Sequence, residues 1–255
     1  MFGFYRAFCD AVERALSVSI TLQQAENDPL DDLPLVSGQI DLAFICGLPL
    51  VRFNRRESVS LTAIAAPVPV DPCNGGKPIY FADFIVKTNS HYHTLKDLIG
   101  SRFAYNDSGS NSGYHLPRYF LYTQGFPYSF FGQQVATGAH QHSIQWVIEG
   151  KADCAAIDST VLAQFCRDLP EQATQIRVIA STDGCPIPPL VVSAALGGCI
   201  LDIQAALTTP DEQLQTALLQ AGMRGVAAVS TADYAVIRSM FDTVEAAGYP
   251  LARSS

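Results

Sequence analysis

The sequence predicts an α/β protein made of two similar domains, each a mixed, mostly parallel sheet flanked by helices. Three observations predict it. Short apolar, strand-like runs alternate with helix-like segments along most of the chain. One unit occurs twice, in LPLVSGQIDLAFICGLPLV (33–51) and in IQWVIEGKADCAAIDSTVL (144–162). Each copy reads as a helix end, a glycine, an aspartate three positions on, a short apolar strand, then a polar turn that opens another helix. Finally, 255 residues at 48% hydrophobic and 16% charged can fill one large core or two small ones.

The elements follow in order. The segment 4–16 is an amphipathic helix, because Phe4, Phe8, Val12 and Leu16 recur every fourth residue and share a face. VSITL (18–22) reads as a strand. Gly38 suits a helix C-cap and Asp41 starts the strand DLAFI (41–45). LTAIAAPV (61–68), FADFIVK (81–87) and RFAYN (102–106) are strands, with a short helix LKDLIG (95–100) before the last. A helix follows at 115–125 and another at 142–150, which Gly150 caps. Asp153 starts the strand CAAI (154–157), and a helix at 160–169 precedes the strand IRVIAS (176–181). Helices at 211–222 and 231–248 close the chain. Such short continuous apolar runs suit parallel strands covered on both faces.

Composition removes some functions. The net charge of −8 offers no basic field for nucleic acid. No uninterrupted apolar run reaches the length of a membrane span. The N-terminus carries Asp10, Glu13 and Arg14 and does not read as a secretory signal. The seven cysteines are widely spaced without a C-x-x-C, which argues against zinc ribbons and thioredoxin-like sites; Cys46 and Cys154 read as small core fillers.

One run stands apart. Asp107-Ser108-Gly109-Ser110-Asn111-Ser112-Gly113 places three hydroxyls and two glycines between a strand and a helix. A helix N-terminus has free N–H groups and roughly half a positive charge. With Ser110 at the cap and Asn111, Ser112 and Gly113 in the first turn, a tetrahedral oxyanion would meet several donors. The plain alternative is that Ser110 only caps its helix.

The order of these pieces resembles the PhnD-like family, the phosphate, phosphonate and phosphite substrate-binding proteins of ABC importers within the type II periplasmic-binding fold. Ser110-Asn111-Ser112-Gly113 matches the family's serine-rich helix start, with Asn in place of Thr; Gly138-Ala139-His140 matches its Gly-x-His turn; Gly150-Lys151-Ala152-Asp153 matches its G-x-x-D strand. The resemblance runs from about residue 33 to 195. It implies two lobes with the ligand in the cleft between them: residues 1–86 and 190–255 form lobe 1 and 87–189 lobe 2, the chain returning near PIPPLVVSA. The family begins with a strand before its first helix; this sequence starts in the helix, so that strand is apparently missing, because either the true start lies upstream or this copy lacks it.

The resemblance also implies roles. Ser110, Asn111, Ser112 and Gly113 would hold the anion. His140 would donate to it and add charge when protonated, or else be an exposed capping histidine. Asp158 would meet an ammonium group on the ligand or simply cap its helix. Tyr80 would be an aromatic contact or core packing. Gly47, in the turn Cys46-Gly47-Leu48-Pro49, would offer N–H groups at a helix start. His91, His93, His140 and His142 form two H-x-H pairs, but no third metal ligand of clear spacing follows.

The implied function is a solute-binding protein that captures a small phosphorus oxyanion for an ABC permease, with no catalysis, no cofactor and no metal. It would be a monomer outside the cytoplasm, in the periplasm or at the membrane. Two alternatives stand beside it: an enzyme on the same fold, with Ser110 and His140 as a pair, and an orphan sensor or binding module.

Overall fold

The structure is a computed structural model that describes residues 2–23, 37–55 and 61–252. In chain order, α1 (Phe2–Leu16), β1 (Leu42–Phe44), α2 (Gly47–Phe53), β2 (Leu61–Pro69), β3 (Ile79–Tyr80), β4 (Ala82–Lys87) and β5 (Arg102–Tyr105) come first. A five-residue π turn, Asn111–His115, runs into α3 (Leu116–Thr123), followed by β6 (Gln133–Ala136), α4 (His140–Glu149), β7 (Cys154–Asp158), α5 (Ser159–Asp168) and α6 (Pro170–Ala173). The rest is β8 (Ile176–Ser181), β9 (Cys185–Pro186), β10 (Leu190–Ser193), α7 (Ile200–Thr208), α8 (Glu212–Gln220), β11 (Met223–Ala228) and α9 (Ala235–Ala246).

The chain packs as two units. Unit 1 takes Met1–Ile79 and Pro186–Arg238; unit 2 takes Tyr80–Cys185 and Ser239–Ser255. In unit 1 the strand order is β1-β10-β2-β11, every neighbouring pair antiparallel. The expected stripe of α1 is present: Phe4, Phe8 and Val12 are buried with Ile64, Val192, Ile203, Leu207, Leu214 and Leu218. Fully burying each such side chain contributes about 1.5–3 kcal/mol.

Residues 18–22 do not form the expected strand. Ser17 turns the chain with φ 54, and the Ile20 amide donates to Glu13 Oε1 at 2.6 Å in place of a ladder partner. Arg6 holds that carboxylate at 2.7 Å, so a side-chain knot on α1 satisfies the segment. The helix end expected at 33–36 lies outside the described residues.

In unit 2 the strand order is β6-β5-β7-β4-β8. β5 runs parallel to β6 and β7, while β4 is antiparallel to both β7 and β8. The mostly parallel pairing expected from continuous apolar runs therefore holds only for β6-β5-β7. An antiparallel strand covered on both faces is equally apolar, so the run alone does not report direction. Both faces are covered here. Phe84, Val86, Cys154 and Ala156 share one core with Phe103, Leu121 and Phe131; Ile85, Ala155 and Ile157 share the other with Ile144, Val147 and Leu162.

Two boundaries differ from expectation. β4, placed in lobe 1 by the sequence reading, lies inside the unit 2 sheet, with Phe84 opposite Ala156 and Ala180. Residues 239–252, also expected in lobe 1, pack in unit 2. Buried Arg118 explains this: its guanidinium donates to Glu245 and to the Val244 and Tyr249 carbonyls. The Phe131 amide donates to the Leu251 carbonyl at 2.8 Å, and the Tyr249 hydroxyl to the Pro127 carbonyl at 3.0 Å.

Candidate anion site in unit 2

β5 ends at Tyr105, and the next residues fold into a turn that closes on its own side chains. Asp107 accepts from the Gly109 amide at 2.8 Å and from Asn106 Nδ2 at 2.9 Å. The Ser110 amide donates to the Asp107 carbonyl at 3.2 Å. Ser110 is extended (φ −70, ψ 132) and its Oγ accepts from the Gly113 amide at 3.1 Å, so it is an N-cap as the sequence predicts. The helix it opens begins as a π turn: the His115 amide reaches the Ser110 carbonyl, five residues back, at 3.1 Å. The Asn111 and Ser112 amides stand ahead of that first bond and have no place in the ladder.

A second loop is pinned against the first. The Thr137 amide donates to the Tyr105 carbonyl and the Gly138 amide to the Asn106 carbonyl, both at 2.8 Å. Gly138 sits at φ 85, a region that glycine enters without strain. These bonds set His140, the first residue of α4, beside the turn: its Nε2 lies 2.8 Å from Ser112 Oγ. His142 turns elsewhere, its Nδ1 donating to the Thr137 carbonyl at 3.0 Å.

Burial pushes the His140 imidazole down to about 4. The ring is therefore neutral at neutral pH and adds charge only when protonated. A neutral imidazole carries one N–H, and whichever way the bond to Ser112 runs, the pair retains one hydrogen for a third group. His140 Nδ1 and Asn106 Oδ1 are buried and have no hydrogen-bond partner among the described residues. Gly113 is required for this closeness: a Cβ there would lie 1.9 Å from Asn106 Oδ1 and 3.2 Å from His140 Cε1.

The same unit brings three more polar groups together. Asn111 Nδ2 donates to the Tyr80 hydroxyl at 2.8 Å and to Cys185 Sγ at 3.3 Å. Tyr80 is thus both buried and polar in role. Cys185 escaped the sequence reading, since nothing in its spacing marks it. Burial pushes its thiol up to about 12, against the opposing hydrogen bonds from Asn111 and Tyr80. Asp158 caps α5, accepting from the Thr160 amide at 2.8 Å and the Thr160 hydroxyl at 2.7 Å, and burial raises its carboxyl.

Of the eight residues singled out, Tyr80, Ser110, Asn111, Ser112, Gly113, His140 and Asp158 lie in unit 2 and Gly47 in unit 1. Gly47 begins α2, and a Cβ there would meet Ile237 Cδ1 at 2.3 Å, so its lack of a side chain serves packing. The Ser110–His140 pair that an enzyme would need does not form, because Ser110 Oγ caps its own turn and His140 pairs with Ser112. Among the described residues, no group of three or more His, Cys, Asp or Glu is placed to hold a metal ion.

The family model for the periplasmic phosphonate substrate-binding proteins of ABC transporters matches residues 3–234. The fold is shared with solved structures of low identity. A binding-protein component of an ABC phosphonate transporter from Pseudomonas aeruginosa is 17% identical, with a TM-score of 0.78 over 93% of this chain and 79% of that one. PhnD1 from Prochlorococcus marinus, solved in complex with methylphosphonate, is 18% identical, with a TM-score of 0.80 over 94% and 92%. The periplasmic aliphatic sulphonate-binding protein SsuA from Escherichia coli is 14% identical, with a TM-score of 0.65 over 96% and 84%.

Proposed function

From a chain that belongs to the phosphonate-binding family of periplasmic ABC-transporter proteins, we propose a binding protein for a small phosphorus oxyanion held at the turn Ser110–Gly113. The observation that carries this reading is the π turn whose free amides stand next to the neutral Ser112–His140 pair. Backbone amides, the Ser112 hydroxyl and the imidazole N–H are all donors suited to phosphoryl oxygens. Phosphonate, phosphite and phosphate fit that donor set; Prochlorococcus PhnD1, with the same fold, was solved with methylphosphonate. The protein delivers its ligand to an ABC permease and works as a monomer. Asp158 acts as a helix cap, and Gly47 as a packing residue in unit 1.

Calorimetry tests the reading, with phosphate, phosphite, methylphosphonate, 2-aminoethylphosphonate and sulfate titrated into the wild type and into Ser110→Ala and His140→Ala. Tight binding of one phosphorus oxyanion, weakened in both variants, is the expected result. A folded protein that binds none of the five refutes it.

A further inference from the structure

The His140 ring reaches Ser112 because two branches of chain leave one rung of the sheet and meet again. The last rung between β5 and β6 pairs Tyr105 with Ala136. From Tyr105 the chain runs through the serine-rich turn to Ser112; from Ala136 it runs through Thr137, Gly138 and Ala139 to His140. The 2.8 Å contact between Ser112 Oγ and His140 Nε2 closes the circuit. That contact depends on how firmly the shorter branch is tied down. Gly138 and Ala139 have no side chain that can bond, and Gly138, at φ 85, is free to enter other backbone regions.

Thr137 supplies the tie. The N-cap of α4 is Ala139, so no side chain at that position accepts from the first turn. Instead Thr137 Oγ1 lies 2.7 Å from Ser143 Oγ and 3.0 Å from the Ala139 carbonyl. The Ser143 amide donates to that same carbonyl at 3.0 Å, in the first turn of the helix. On its other side, the Thr137 amide donates to the Tyr105 carbonyl at 2.8 Å, and Oγ1 lies 3.1 Å from the same oxygen. Thr137 thus bonds β5 through its backbone and α4 through its hydroxyl. Its one hydrogen cannot serve both carbonyls and Ser143, but whichever hydroxyl of the pair donates, the Thr137–Ser143 bond stands. Ser143 is 0% exposed, so bulk water does not replace Thr137 as its partner. The bond from His142 Nδ1 to the Thr137 carbonyl is exposed and holds less.

Building on the oxyanion reading above, we propose that Thr137 is a positioning residue of the anion site: its hydroxyl, through Ser143, fixes the start of α4 and so holds the His140 ring against Ser112. Thr137 acts through His140, and its effect on the ligand follows from where that ring is held.

Three substitutions test this. Thr137→Val removes the hydroxyl and keeps the branched shape, Thr137→Ser keeps the hydroxyl, and Ser143→Ala removes its partner. Methylphosphonate, phosphite and phosphate are titrated into each by calorimetry, and the His140 Cε1 proton is followed by NMR in ligand-free protein from about pH 8 to about pH 4. Thr137→Val and Ser143→Ala should each weaken the ligand that the wild type binds best by about tenfold. The double variant should be no weaker than the worse single one, and Thr137→Ser should stay within about threefold of the wild type. The His140 midpoint, about 4 in the wild type, should rise toward 6.5 in Thr137→Val and stay low in Thr137→Ser, because a ring released from Ser112 gains water. A role confined to stability would lower the urea midpoint and move neither reading. Thr137→Val with wild-type affinity and an unmoved His140 midpoint overturns the inference, and so does a Thr137→Ser variant as weak as Thr137→Val. Ser143→Ala carries the same test should Thr137→Val not fold. A wild type that binds none of the three ligands overturns the oxyanion reading instead, and the His140 midpoint then decides the positioning role by itself.

Discussion

A His140→Gln substitution isolates the one histidine that is paired with Ser112 and pushed by burial from 6.5 to about 4. Between those two values the unfolded chain holds a proton at this position and the folded chain does not. Stability is therefore fully present above pH 6.5 and is lost as the pH falls toward 4. At about 1.4 kcal/mol per pH unit the whole effect is about 3 kcal/mol, of which about 2 kcal/mol falls between pH 7 and pH 5. Glutamine keeps a hydrogen-bonding amide near Ser112 and does not titrate. The stability of the wild type relative to the variant should then drop by about 2 kcal/mol on going from pH 7 to pH 5. Urea unfolding followed by the fluorescence of Trp146, the sole tryptophan, reads this in unit 2, where Trp146 lies on α4 with His140. A difference that stays constant across that range would mean the ring is hydrated and the account of its neutrality is wrong.

Three further substitutions test the packing. Gly47→Ala should destabilise unit 1 by about 1–3 kcal/mol, since its Cβ would overlap Ile237 Cδ1 at 2.3 Å; Ile237→Val in the same chain should recover part of the loss in a denaturant melt. Gly113→Ala, driven into Asn106 Oδ1 at 1.9 Å, should weaken oxyanion binding at least about tenfold by calorimetry, through displacement of the turn. Arg118→Met keeps bulk but strands the Val244 and Tyr249 carbonyls and Glu245; it should cost about 2–4 kcal/mol, with amide exchange quickened first across 244–252.

Much of the site was readable because its signals are local. Ser110 as a cap and the glycine at 113 belong to one turn of chain, and the residue types at those positions determine what that turn can do. Gly150 ends α4 in the left-handed region at φ 75, as a glycine after an apolar helix predicts. The strand misread at 18–22 shows the limit of that method. Its residues have strand propensity, but a ladder needs a partner, and Glu13 and Arg6 answer its backbone instead.

By itself, then, the sequence determined the α/β alternation, the Ser110-capped turn and the family, through local spacings and the order of the pieces along the chain. Packing decided the rest. Ser112 meets His140 across 28 positions, and Asn111 meets Tyr80 across 31 and Cys185 across 74. Packing also set β4 between β7 and β8 and drew the C-terminal segment onto Arg118. The physical reason is the same in each case: a side chain's partner, and with it the charge it carries, depends on which distant surfaces exclude water around it.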